Sequence, residues 1–97
     1  DKAAAHYRKA LELDPALFRA KNGLSVNLAH HGNLDQAIAM AKELTEARPD
    51  YGPAYYNLAW WYAVEKDAPE AARPCYTKAL ELGMPEEKKI EKVLAEK

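Results

Sequence analysis

Cysteine occurs once, at Cys75, and phenylalanine once, at Phe18. A lone cysteine excludes an internal disulfide and says nothing of redox compartment. On a helix it reads as a small packed or half-exposed thiol. No apolar run approaches the roughly 20 residues of a membrane-spanning helix, so no membrane span is expected. A surplus of one charge is missing too. Fifteen acidic residues face 14 basic ones, a formal net charge of −1. That leaves no electrostatic footprint for nucleic acid or anionic lipid. No segment alternates with period two, so no strand is expected. There is no nucleophile motif, no phosphate-cradling glycine loop and no carboxylate pair in an apolar setting, so neither an enzyme nor a cofactor is expected here. An initiating methionine and a signal-peptide pattern are also lacking. The start at Asp1 reads as a cut from a longer polypeptide.

What is present is periodic. Hydrophobic residues make up 48% of the 97 positions and charged ones 30%, which excludes a disordered tail and fits one small domain. Ala3-x3-Tyr7-x2-Ala10-Leu11-x-Leu13 is followed by Ala37-x3-Ala41-x2-Leu44 and then by Ala72-x3-Tyr76-x2-Ala79-Leu80-x-Leu82. Between them Leu24-Ser25-x2-Leu28 returns as Leu58-Ala59-x2-Tyr62, 34 residues on, and Pro15 returns as Pro49. Ala37 and Ala72 stand 35 apart, which places one inserted residue in the loop around Lys66-Asp67. Repeats of this length mark stacked helical hairpins.

Stripes at spacings of three and four predict six helices, over 2–14, 16–31, 34–47, 53–65, 68–82 and 86–96. Asp14-Pro15, Gly32-Asn33, Pro49-Asp50, Asp67-Ala68-Pro69 and Gly83-Met84-Pro85 punctuate them, because proline suits a first turn and glycine a left-handed stop. Pro74 falls inside the fifth helix, where a bend is expected. The charges of the last helix read as a solvated outer face. Short loops make successive helices antiparallel neighbours. Small residues at Ala20, Ser25, Ala37, Ala54, Ala59 and Ala72 let helices touch, with Leu24, Leu28, Leu58, Tyr62 and Tyr76 filling the gaps.

These residues resemble the tetratricopeptide repeat, a 34-residue helix-turn-helix unit that reads Trp-x2-Leu-Gly-x2-Tyr, then Ala-x3-Phe and a proline. Tyr55-x2-Leu58-Ala59-x2-Tyr62 with Ala72-x3-Tyr76 is a close match, and Lys21-x2-Leu24-Ser25-x2-Leu28 with Ala37-x3-Ala41 and Pro49 a weaker one. The resemblance implies an all-α, right-handed superhelical solenoid of antiparallel helix pairs. Within one domain, residues 1–15 would be the second helix of a truncated repeat, 16–49 and 50–84 whole repeats, and 85–97 a capping helix. It further implies a scaffold or adaptor that binds a protein or peptide segment in a concave groove lined by the first helices. By register the groove residues are Arg19, Asn22, Val26 and His30 on one helix, with Tyr56, Asn57, Trp60 and Val64 on the next; Ala29 and Ala63 fall on the same faces. Tyr62 takes a core position, Trp61 should meet the capping helix at Ile90, Val93 or Leu94, and Trp60 is left for the ligand. A carboxylate clamp is not expected, since Asn22 and Val26 stand where a lysine and an asparagine would be.

Two further readings belong to other classes. The segment could serve as the regulatory or substrate-docking arm of an enzyme, for instance a glycosyltransferase. It could also self-associate, or receive preceding repeats, through Ala4, Tyr7 and Leu11 on its first helix. His30-His31 does not suggest a metal site, because neighbours on a helix diverge and His6 lies on another helix.

Overall fold

A computed structural model describes residues 15–96. The expected helix 2–14, with Ala4, His6, Tyr7 and Leu11, lies outside the described residues. The described residues are helical with no strand, and the chain divides into two compact units, one ending at Tyr51 and one beginning at Gly52.

The first unit pairs α1 (Pro15–His30) with α2 (Leu34–Ala47). A three-residue connection between packed helices makes them antiparallel. Ala37, Ile38, Ala41 and Leu44 form the buried stripe of α2, at the three-and-four spacing expected of an amphipathic helix. On α1 the fully buried residue is Ser25, whose hydroxyl donates to the Asn22 carbonyl at 2.8 Å. Its small side chain and its internal hydrogen bond allow the close approach. Of the expected stripe Ala20, Leu24 and Leu28, the last is half-buried and the first two are corrected. Both are exposed, Leu24 by 41%, because adjacent helical residues point about 100° apart and Ser25 takes the inward direction.

The second unit contains α3 (Gly52–Trp60), which widens without a break into a π-helical turn over Trp61–Glu65, then α4 (Pro69–Glu81) and α5 (Lys88–Glu96). Ala59, Ala63, Ala72, Tyr76 and Ile90 make its buried cluster. Burying a side chain the size of Ile90 contributes about 1.5–3 kcal/mol. Pro74 sits on the exposed side of a helix that already starts at Pro69.

Helix stops show where the extra residue went. α1 ends with Gly32 at φ 83°, and the Asn33 N–H donates back to the Leu28 carbonyl at 2.8 Å. α4 ends the same way, with Gly83 at φ 89° and the Met84 N–H on the Ala79 carbonyl at 3.0 Å. These are left-handed caps that satisfy orphaned carbonyls. After α3 the left-handed residue is Asp67 at φ 48°, and the closing bond runs from the Ala68 N–H to the Tyr62 carbonyl at 2.7 Å. That bond reaches back six residues where the other two reach back five. The insertion is thus taken up before Asp67, inside the helix rather than in the loop around Lys66-Asp67. An extra residue in a helix widens one turn to the π form, and the Lys66 N–H donates to the Trp61 carbonyl five residues back at 2.9 Å.

Candidate partner-binding faces

Each unit carries its own set of the expected residues. On α1, Arg19 and His30 are exposed, and Asn22 and Val26 are half-buried. Their spacing of three to four keeps them on one side of the helix. Near Arg19 lies an arrangement that periodicity did not reveal. The Arg48 guanidinium stands over the Phe18 ring, 4.7 Å from its centre, and Phe18 meets Tyr51 edge-on, with centroids 4.6 Å apart and planes at 78°. Arg48 Nε is buried without a hydrogen-bond partner, and the ring beneath compensates that charge. Burial raises the Tyr51 pKa and the Arg19 charge partly offsets it. Phe18 and Arg48 are 30 residues apart, a separation that no local pattern discloses.

On α3 and its π turn, Tyr56, Asn57, Trp60 and Val64 are all half-buried. Trp60, Tyr62 and Val64 lean on the cluster that contains Ile90, together with Val93 and Leu94 of α5. The two consecutive tryptophans differ in their surroundings. Trp60 stands beside the terminal helix, with Lys89 Nζ 5.6 Å from its ring centre. Trp61 is buried and stands outside that cluster. Ala63, expected on the groove face, is buried within it, since the widened turn rotates the residues that follow Trp60.

The charges of the terminal segment are not simply solvated. The Tyr56 phenol donates to Glu87 Oε2 at 3.3 Å, and Glu87 Oε1 accepts the Lys89 N–H at 3.1 Å. Tyr76 donates to Glu91 Oε2 at 2.6 Å, and its oxygen accepts the Glu87 N–H at 2.9 Å. Desolvation raises the pKa of Tyr56, helped by the charge and hydrogen bond of Glu87. Desolvation and the hydrogen bond to Glu91 push Tyr76 up to about 12. Both phenols therefore stay protonated donors at neutral pH.

Among the described residues, no three side chains come together as metal ligands, and no helix is long and apolar enough to cross a membrane. What the arrangement offers is contact: two neighbouring aromatic side chains with polar groups beside them, on one helix.

In comparisons with known proteins, one model of the tetratricopeptide repeat matches residues 1–61 and another matches residues 52–82. Neither the curated proteins nor the solved structures contain a match.

Proposed function

Because this chain belongs to the tetratricopeptide repeat family, whose repeats mediate protein–protein interaction, we propose that it is a scaffold or adaptor segment that holds a peptide or protein segment of a partner. The finer reading is that such repeats stack into a right-handed superhelix and that the partner lies along its concave side. Residues 16–49 and 50–84 then act as whole repeats and 85–97 as the cap. Arg19, Asn22, Val26, His30, Tyr56, Asn57, Trp60 and Val64 are the contacts we assign. The segment itself is assigned no catalysis.

The observation that supports this most is the state of Tyr56 and Trp60. They stand one helical turn apart, and both keep part of their surface open, Trp60 beside the buried cluster. Aromatic side chains held this way dominate binding energy at interfaces, because their rotamers are already fixed and their apolar faces are still to be covered.

The test is retention of host proteins on immobilised chain, with identification by mass spectrometry. Partners held by the wild type should be lost from a folded Tyr56→Ala, Trp60→Ala variant. Equal retention by both would overturn the assignment of this face.

A further inference from the structure

The Tyr56–Trp60 face already has an occupant from its own chain. Glu87 brings a carboxylate to the Tyr56 phenol at 3.3 Å, and Lys89 brings an ammonium to within 5.6 Å of the Trp60 ring centre. Both contacts are loose. The first is beyond the usual length of an O–H···O bond, and the second is near the outer reach of a cation–π contact.

The terminal helix is anchored elsewhere. Ile90 is fully buried, Tyr76 grips Glu91 at 2.6 Å and the Glu87 N–H at 2.9 Å, and Arg73 Nη2 donates to the Leu94 carbonyl at 3.1 Å. Glu87 and Lys89 can therefore leave the aromatic pair while α5 stays seated. What they supply defines what a replacement must supply: an anion for a phenolic donor, and a cation for a π face about one turn along.

We propose that the Tyr56–Trp60 face takes partner segments in which a carboxylate is followed within two or three residues by a lysine or arginine, and that Glu87 and Lys89 act as a built-in competitor for it. The proposal rests on the reading of this face as partner-binding. The competitor is weak by construction, so it sets a threshold for entry and selects by charge pattern without closing the face.

The probe is a fluorescein-labelled peptide with this chain's own sequence from Met84 to Lys92, titrated into the full chain and followed by anisotropy. A Glu87→Gln, Lys89→Gln variant keeps an acceptor for the Lys89 N–H but removes both charges. It should bind the peptide about five- to tenfold more tightly than the wild type. The gain should vanish when Tyr56→Phe and Trp60→Leu are added, or when the peptide carries the same two glutamines. Amide exchange at Ile90 to Leu94 should be unchanged in the charge-removed variant. Equal affinities for wild type and variant would overturn the competitor. Tighter binding with lost protection at Ile90 would make the whole helix the competitor and overturn the two-side-chain assignment. Partner capture that ignores Tyr56 and Trp60 would end the reading of this face as partner-binding. Capture that depends on them, beside an unchanged peptide affinity, would remove only the competitor.

Discussion

Tyr76 donates its phenolic proton to Glu91 across 2.6 Å while its oxygen accepts the Glu87 N–H at 2.9 Å. One side chain of α4 thereby holds both the entry to α5 and its first turn. The ring around that hydroxyl is 5% exposed, so water cannot readily replace either bond.

Tyr76→Phe keeps the ring and removes the hydroxyl. Leaving the Glu87 N–H and the Glu91 carboxylate without it should cost about 1–3 kcal/mol. Urea denaturation should register the loss. Native-state amide exchange should show it first at Ile90 to Leu94, with α2 unaffected. Equal loss of protection in α2 would contradict a latch local to the second unit.

The same phenol makes stability depend on alkaline pH. Its pKa is raised from 10 in the unfolded chain to about 12 in the folded one. The contribution is therefore complete below pH 10. Above it the unfolded chain binds fewer protons than the folded one, so stability falls as pH rises from 10 to about 12. Denaturant midpoints at pH 9, 10 and 11 should decline in the wild type and decline less in Tyr76→Phe. Parallel slopes would show that Tyr76 is not the group responsible.

Deleting Glu65 should return the second stop to the five-residue closure seen after α1. The cost falls on α5, because Ala63 turns away from Ile90 once the widened turn is lost. The expected outcome is rapid exchange at Ile90 with an intact α1–α2 pair. A variant whose α5 is as protected as before would show that the π turn is not its seat.

Two glycines should respond in opposite directions. A methyl group at Gly23, inside α1, meets nothing within 4 Å. Gly23→Ala should therefore stabilise by about 0.5–1 kcal/mol through helix propensity and a less flexible unfolded chain. Gly83 is equally uncrowded but sits at φ 89°, so Gly83→Ala should cost about 1–2 kcal/mol. Thermal melts of the two variants should shift to opposite sides of the wild type.

Punctuation and packing were readable in the residues, because each follows from local rules. Gly32 and Gly83 end helices as glycine with a left-handed backbone should, and Ala37, Ala41, Ala54, Ala59 and Ala72 are fully buried where small side chains let helices meet. The spacing between Ala37 and Ala72 disclosed an extra residue, yet the choice between a longer loop and a widened helix depends on which carbonyl captures the Ala68 N–H. With the turn widened, Ala63 lies in the buried cluster, and Trp60 packs against that cluster with Lys89 of α5 beside its ring. Glu87 and Glu91 looked like members of a solvated face because their partners, Tyr56 and Tyr76, lie 31 and 15 residues away. The Phe18–Arg48 contact was out of reach for the same reason.

Trp60 and Trp61 are consecutive, yet one keeps a partly open ring under a lysine and the other is 6% exposed. Their fluorescence therefore comes from two emitters of unlike polarity. Acrylamide should reach the first and largely spare the second, which gives the molecule an optical reporter of occupancy at its aromatic face without any added dye.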